Sequence, residues 1–248
     1  MGIALRKNIN QDFFKIWTPG MSYVLGYIVA DGCIYKRKDR KNSYTLNITS
    51  KDREHLLKIR ETLDSNHSIG IKYNSQKIPC SYIQIYNAEI CSDLINLGIM
   101  PRKTSNLNPV KVPDKYFSDF VRGFFDGDGT VYIYKVNGVS QIKIGFVSVS
   151  SHFFAEFSQR LCKHLGIQTK SIHQTIDKRG KRMVRYDIHF YIDDCEKLAN
   201  LMYGNNPSLY LPRKRKVFEK WKLIKRRHYI KQNYPSKIGW RLNEKVAA

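Results

Sequence analysis

The chain has 248 residues, and its 43 Lys and Arg residues outnumber its 21 Asp and Glu residues, giving a formal net charge of +22. Apolar residues make up 42% of the sequence, which is too much for a disordered chain. No run approaches the roughly 18 apolar residues of a membrane-spanning helix, and the five scattered cysteines form no C-x-x-C pair for zinc or redox chemistry. The basic residues recur in short clusters between Tyr, Asn and Gln, which favours nucleic acid over a membrane surface as the partner.

The N-terminal sequence has no signal-peptide or myristoylation pattern. We therefore expect an intracellular protein. It would lie in a bacterial or phage cytoplasm, or in an organelle matrix if an organelle genome encodes it.

The first half of the chain predicts the order helix, two strands, helix, two strands, helix. The segments are an apolar helix ending at Asp31, a strand pair around the basic turn at 36–42, a helix at 52–63, strands at 69–74 and 81–87, and a helix at 87–99. This half closes on the tripeptide Pro-Arg-Lys at 101–103.

The second half repeats this order. The segments are an apolar helix ending at Asp128, a strand pair at 130–151 around an Asn-Gly turn, a helix at 152–166, strands at 171–176 and 184–192, and a helix at 193–204. It also closes on Pro-Arg-Lys, at 212–214. Matching elements in the same order indicate that the two halves are duplicates.

The duplication predicts an α+β fold of two pseudo-symmetric αββαββα repeats, each with a four-stranded antiparallel sheet. We place the repeats at residues 1–103 and 117–230, with an extended linker at 104–116 and a C-terminal tail at 231–248. Helices cover one face of each sheet and leave the other open.

Alternation along the strands brings polar side chains to the open faces. They are Lys72, Asn74, Tyr82, Gln84 and Tyr86 in the first half, and Gln141, Lys143, Arg185, Asp187 and His189 in the second. These residue types reach base edges and phosphates. The alternative is an ordinary solvated sheet face.

Small residues recur at every fourth position near the end of each apolar helix. They are Gly26 and Ala30 in the first helix, and Gly123 and Gly127 in the second. Such spacing lets two helices approach closely, so we expect them to cross on a pseudo-two-fold axis. Asp31 and Asp128 would then meet at two helix C-termini, where negative charge is unfavourable unless a divalent cation binds. Oxygen ligands beside phosphate favour Mg²⁺; the alternative for each Asp-Gly pair is a helix-ending turn.

The two signatures, VLGYIVADG at 24–32 and VRGFFDGDG at 121–129, resemble the paired motifs of the single-chain LAGLIDADG homing endonucleases. The resemblance covers roughly residues 13–220 and includes LGIMPRKTSNL, VPDKYFSDFVRGFFDGDG and YLPRKRKVFEKW. It implies a monomer whose two motif helices pack at the centre. The two sheets would form a saddle in the major groove of double-stranded DNA on either side of the cut.

The resemblance also assigns a metal centre. Asp31 and Asp128 occupy the eighth motif position, which is the catalytic acid that binds metal. The carbonyls of the seventh position often help hold the ion, and these belong to Ala30 and Gly127. The sixth position is Val29 in one motif and Asp126 in the other, so the half-sites are unequal.

Two further pairs of site residues follow from the resemblance. Lys103 and Lys214 of the Pro-Arg-Lys tripeptides match the lysines that lie near the scissile phosphates, although such residues could also be plain surface charge. Ser50 and Ser151 align with the polar residue that positions water at the end of the second strand.

The implied reaction is hydrolysis of one phosphodiester on each strand across the minor groove, which leaves short 3′ overhangs at a long target site. Mg²⁺ is the expected cofactor; Mn²⁺ should substitute, and Ca²⁺ should support binding without cleavage. Basic turns would contact the outer base pairs or phosphates. Their DNA-binding candidates are Arg37, Lys38, Arg40, Lys135, Arg179, Lys181 and Arg182.

Other functions remain open on the sequence. An intein is disfavoured, because the chain starts with Met1 and lacks a terminal His-Asn pair. The same fold serves as an RNA maturase that binds intron RNA, or as a DNA-binding regulator that does not cut. Both motif aspartates argue against a purely binding descendant, but maturases can retain them.

Overall fold

The computed structural model describes residues 7–36, 43–101, 107–177 and 183–233. It has two four-stranded antiparallel sheets, each with helices on one face. The elements of the first half are α1 (Pro19–Asp31), β1 (Gly32–Lys36), β2 (Tyr44–Ser50), α2 (Arg53–Thr62), β3 (Ile69–Tyr73), β4 (Pro79–Ile85) and α3 (Ala88–Asn96). Those of the second half are α4 (Asp114–Asp128), β5 (Thr130–Val136), β6 (Val139–Ser148), α5 (Ser151–Leu165), β7 (His173–Asp177), β8 (Met183–Tyr191) and α6 (Ile192–Tyr203). The predicted fold class, a duplicated αββαββα arrangement, is confirmed.

The two sheets have the same topology. Their strand orders are β1-β2-β4-β3 and β5-β6-β8-β7, with antiparallel pairing throughout. In the hairpin between β5 and β6, Asn137 and Gly138 both have positive φ, 49° and 80°, as a two-residue turn of the predicted kind requires. Side chains on the helix side of each sheet are buried, and the opposite faces are open.

Helix α1 begins where its sequence contains two start signals. The Thr18 side chain accepts a hydrogen bond from the Met21 backbone N–H at 3.0 Å, and Pro19 occupies the first turn. From Met21 to Val29 every residue of α1 is buried. A helix that is buried on all sides lies inside a molecule, and α1 packs between the two halves.

Helices α1 and α4 cross with reciprocal contacts. A Cβ atom added at Gly26 would collide with the carbonyl oxygen of Phe120, and one added at Gly123 would collide with that of Tyr23. Gly26 and Gly123 are equivalent in the two motifs, as are Tyr23 and Phe120, so the contacts obey the predicted pseudo-two-fold relation. The glycines are required because backbone meets backbone at the crossing.

Two elements depart from the predicted segments. Helix α4 starts at Asp114, inside the segment predicted as linker, although residues 107–113 contain no regular element. Helix α7 (Pro212–Asn233) was not predicted and has no counterpart among the described residues of the first half. It packs through Phe218 and Trp221, which are 3% and 6% exposed.

Over the residues that the structure describes, no helix combines the length and apolar character needed to cross a membrane.

Candidate functional site

The two motif aspartates lie at adjacent helix ends. Asp31 is the last residue of α1 and Asp128 the last of α4. A Cβ atom added at Gly127 would collide with Ala30 and would lie 3.6 Å from Oδ2 of Asp31. Gly127 therefore lies against Ala30 and Asp31, so the ends of the two motif helices are brought together, as the sequence predicts.

The donors at these helix ends fit a hard divalent cation. Among the described residues, no three His, Cys, Asp or Glu side chains converge on one metal position. Mg²⁺ does not need such a set, because it usually keeps several waters and binds one or two carboxylates together with substrate phosphates. Asp31 and Asp128 would supply the carboxylates, and both lie at helix C-termini, where a cation is favoured.

Lys214 caps the end of the second motif helix. It lies in the first turn of α7, is only 5% exposed, and its Nζ donates to the carbonyls of Phe125 at 2.5 Å, Asp126 at 2.9 Å and Gly129 at 2.6 Å. Burial lowers the pKa of this amine to about 8, although the nearby carboxylates, those of the motif aspartates among them, oppose the shift. The structure thus brings this predicted catalytic lysine to the site, in a buried capping position.

Asp126, at the sixth motif position, caps the start of α7 in turn. Its Oδ2 accepts hydrogen bonds from the Leu211 N–H at 2.8 Å, just before α7, and from the Tyr23 hydroxyl at 2.6 Å. Burial raises the pKa of Asp126 to about 6, while the bond from Tyr23 and the charge of Lys214 hold it lower than burial alone would. Two sets of hydrogen bonds therefore join α4 to α7: Lys214 of α7 donates to carbonyls at the end of α4, and Asp126 of α4 accepts from the backbone just before α7.

His55 of α2 extends this buried network. Its Nε2 lies 2.8 Å from the Tyr23 hydroxyl, and burial lowers the pKa of the imidazole to about 4. Because Tyr23 donates to Asp126, the neutral His55 tautomer that fits carries its proton on Nε2. The first half thus reaches into the second half through Tyr23.

Ser50 does not fit its predicted water-positioning role. It is 6% exposed, its Oγ lies 2.9 Å from the Tyr27 hydroxyl oxygen, and the Oγ accepts a hydrogen bond from the Asp52 N–H at 3.1 Å. Its place in the fold is the last residue of β2.

The predicted pairing of Ser151 with Ser50 is also wrong. Ser148 is the counterpart, because it ends β6 and its Oγ accepts from the Ser150 N–H at 3.2 Å, two residues on. Ser151 is instead an exposed first residue of α5. Ser148, Ser150 and Ser151 are close together in the sequence, and only the hydrogen bond to the N–H two residues on identifies Ser148 as the match to Ser50.

An ion pair links the halves beside the site. The Arg213 guanidinium donates to both carboxylate oxygens of Asp52, with Nε 3.0 Å from Oδ1 and Nη2 2.9 Å from Oδ2. Asp52 precedes α2 in the first half and Arg213 lies in α7 of the second. Arg213 is therefore committed to an internal contact.

The open face of the first sheet carries most of the side chains predicted there. Lys72 lies over the Tyr82 ring, with Nζ 5.6 Å from its centroid, and Gln84 donates to the Tyr35 hydroxyl at 3.0 Å. Asn74 lies instead in the turn after β3, where its Oδ1 accepts from two backbone N–H groups. Its predicted base-reading position is therefore not supported.

The open face of the second sheet is also polar. The residues it carries as predicted are Gln141, Lys143, Arg185, Asp187 and His189. The His189 imidazole lies 3.5 Å from the Asp187 carboxylate, and burial lowers its pKa. Lys135 alternates with Tyr134 and points to the helix side, where it is exposed at the far end of β5.

Seven of the predicted residues lie outside the described part of the chain. They are Lys103, Arg37, Lys38, Arg40, Arg179, Lys181 and Arg182.

Buried polar residues that no sequence motif singles out support the site. Tyr23, Tyr27 and His55 take these places in the first half, and the equivalent places in the second are aromatic hydrocarbons. A residue-by-residue comparison of the halves contains this signal, because phenylalanine replaces each polar side chain.

Two duplicated αββαββα units, joined by crossed glycine-containing helices that end in paired aspartates, define a protein of the homing-endonuclease fold. The chain belongs to the LAGLIDADG-like domain family, whose model matches residues 20–91 and 118–202. A curated relative, the uncharacterized protein MJ0398 of Methanocaldococcus jannaschii, is 28% identical over 203 residues, which cover 78% of this chain and 68% of the relative.

Solved structures share the fold at low identity. One is the LAGLIDADG homing endonuclease I-GzeII in complex with DNA target, with a TM-score of 0.55 and 13% identity, covering 88% of this chain and 93% of the other. Another is the meganuclease I-SmaMI bound to uncleaveable DNA, with a TM-score of 0.55 and 14% identity, covering 86% and 91%. Variants of the homing endonuclease I-DmoI match with a TM-score of 0.51 and 17% identity, covering 82% and 98%.

Proposed function

We propose that this protein is a site-specific, metal-dependent endonuclease that cuts both strands of double-stranded DNA at a long target site. The observation that carries the proposal is the pair of aspartates, Asp31 and Asp128, at adjacent ends of crossed helices. A protein that only binds nucleic acid has no need to place two carboxylates at adjacent negative helix ends, beside a phosphate backbone that repels them.

The proposed active site uses one motif end for each strand. Asp31 and Asp128, with the carbonyls of Ala30 and Gly127, would hold the divalent cations, and we expect Mg²⁺ to be the physiological ion. When bound, the ions polarise phosphoryl oxygens and lower the pKa of bound water. Lys214 fixes the end of α4 through its carbonyl contacts and keeps positive charge beside the carboxylates.

DNA binding is proposed for the two open sheet faces. One chain supplies both motif helices and both faces, so we propose that the protein acts as a monomer. The solved structures of I-GzeII and I-SmaMI contain DNA, which supports double-stranded DNA as the partner here. The net charge of +22 suits a partner with a dense phosphate backbone.

The first experiment selects duplexes from a randomised long-site library in Ca²⁺ and then adds Mg²⁺ to the selected pool. A defined staggered cut with short 3′ overhangs is the expected result, and it identifies the target. Selective binding without a cut would favour a regulator, and an absence of DNA selectivity would direct the search to intron RNA.

The active-site assignment predicts that Asp31→Asn and Asp128→Asn each abolish double-strand cleavage, because each removes an ionised metal ligand. Binding of the selected duplex in Ca²⁺ should stay nearly intact, since the sheet faces are unchanged. Cleavage of end-labelled duplex and fluorescence anisotropy measure the two properties. Wild-type double-strand cleavage by either variant would remove the aspartates from the mechanism.

A further inference from the structure

The two halves support their aspartates with different side chains. The polar residues of the first half are Tyr23, Tyr27 and His55, and the equivalent residues of the second half are Phe120, Phe124 and Phe153. The equivalence is geometric as well as sequential. Tyr27 and His55 have ring centroids 5.2 Å apart, and Phe124 and Phe153 have ring centroids 5.4 Å apart, so each pair joins a motif helix to the next helix.

The Tyr27 hydroxyl lies at the end of α1 next to the carboxylate. Tyr27 is 1% exposed, and its hydroxyl is 2.9 Å from Ser50 Oγ. Asp31 lies four residues further along α1, on the same helix face, and the Tyr27 hydroxyl hydrogen-bonds its carboxylate. Burial first, and then this negative charge, raise the pKa of Tyr27. The phenol has one proton and donates it to the carboxylate, which can only accept, so in the 2.9 Å contact the Ser50 hydroxyl donates to the Tyr27 oxygen.

Ser50 makes the hydroxyl's position rigid. Its Oγ accepts from the Asp52 N–H at 3.1 Å, immediately before α2, and Asp52 in turn accepts from Arg213. The contacts therefore run from α2 through Ser50 to Tyr27 and on to Asp31. Because every member is fixed by a hydrogen bond, the carboxylate at the end has a defined orientation.

We propose that Tyr27 is a positioning residue that orients the Asp31 carboxylate for metal binding, so that cleavage of one DNA strand depends on a hydroxyl that the other half does not use. This rests on the proposed endonuclease function. Asp128 has interactions of its own, but the residue equivalent to Tyr27 is Phe124, which carries no hydroxyl. The second half instead fixes the end of α4 through Lys214.

The test uses Tyr27→Phe, which gives the first half the residue that the second half already has. Each strand of the target duplex is labelled separately, and both cleavage rates are measured in Mg²⁺. We expect cleavage of one strand to slow by roughly 10- to 100-fold, the effect of losing one hydrogen bond to a charged group. Cleavage of the other strand should change little, so nicked duplex should accumulate.

Tyr203→Phe is the matched control. It removes another buried tyrosine hydroxyl, one with no hydrogen-bond partner among the described residues, from α6 of the second half. Both strands should be cut at wild-type rates. Equal slowing of the two strands by Tyr27→Phe, or no slowing of either, would overturn the proposal, because a general structural role affects both strands alike.

A second readout does not use cleavage. The Ca²⁺ concentration for half-maximal duplex binding, measured by anisotropy, should rise several-fold in Tyr27→Phe and stay unchanged in Tyr203→Phe. If the wild-type protein cuts neither strand, the endonuclease function fails and this measurement still decides the inference. An unchanged Ca²⁺ requirement in Tyr27→Phe then rejects the positioning role.

Discussion

His55 is a buried polar residue at a position where the duplicate half has Phe153. A buried imidazole is costly when charged, since burial lowers its pKa from 6.5 to about 4. The neutral ring is retained because its Nε2 contacts the Tyr23 hydroxyl, which holds Asp126 of the other half. His55 thus adds a hydrogen-bonded link across the pseudo-two-fold axis, but it lowers the stability of the folded protein at acid pH.

His55→Phe should make the protein less sensitive to acid. The pKa of His55 is about 4 in the folded protein and 6.5 in the unfolded chain, so between these values the unfolded chain binds the proton more strongly. The folded protein is therefore fully stable with respect to this group above pH 6.5 and loses stability as the pH falls to about 4. For this group the loss is roughly 3 kcal/mol between pH 7 and pH 4. Urea denaturation at both pH values measures it, and the variant should lose that much less stability than wild type.

The groups common to both proteins cancel in this comparison, because only residue 55 differs. His55→Phe should also be less stable than wild type at pH 7, since Tyr23 loses one partner. An identical loss between pH 7 and pH 4 in both proteins would mean that His55 does not titrate in that range.

Residue roles were only partly predictable from the sequence. Strand alternation correctly placed Tyr82 and Gln84 on an open face, because the period of two is fixed by the pleat. It misplaced Asn74, because an Asn side chain can satisfy a turn's backbone instead of pointing from a strand. The burial of Lys214 depends on three carbonyls at the end of a helix that is distant in sequence, and no local pattern reports that.

At the scale of elements, the crossing of α1 and α4 depends on the absence of two side chains. Gly26 and Gly123 each face a carbonyl of the opposite helix, and neither backbone can retreat without moving a whole half of the molecule. This spacing was readable from the sequence, because small residues at every fourth position share one face of a helix.

Gly26→Ala and Gly123→Ala should each destabilise the fold by roughly 1–3 kcal/mol or more, because an added methyl overlaps rigid backbone. Gly20→Ala is the control in the same helix. Its Cβ would lie 3.2 Å from Thr62 Cγ2, a side-chain atom that can move, so its effect should stay within about 0.5 kcal/mol. Guanidinium denaturation measures the free energy of unfolding of all three variants. If Gly20→Ala were as destabilising as the other two, the close approach of the helices at Gly26 and Gly123 would not be the cause.

Helix α7 has a sequence that does not predict a helix by periodicity. Ten of its 22 residues are Lys or Arg and it lacks a broad apolar stripe, so periodicity gives no helical signal. Pro212 at its start and the spacing of Phe218 and Trp221 were the available cues. The remaining information lies in tertiary contacts, where Phe218 packs on Phe125 with ring centroids 5.8 Å apart.

At the scale of the whole molecule, the net charge of +22 and the side chains that contact bases contribute to different properties of DNA binding. Neutralised phosphates release counterions whatever the sequence, whereas contacts to base edges give discrimination. The second sheet offers one candidate of each kind on the same open face. Lys143 carries a point charge, and Arg185 carries a planar fork of donors suited to a guanine edge.

These two residues should respond differently when duplex binding in Ca²⁺ is measured against salt concentration. If Lys143 neutralises one phosphate, Lys143→Gln makes the slope of log K against log salt shallower by about 0.9.

Arg185→Ala should instead flatten base preference at one position, worth about 1–3 kcal/mol of discrimination. Cleavage of a target that tolerates any base there should be unchanged. Uniform weakening of Arg185→Ala on all sequences, with a shallower slope, would make Arg185 a phosphate contact, and the reading of bases would then fall to its neighbours on this face.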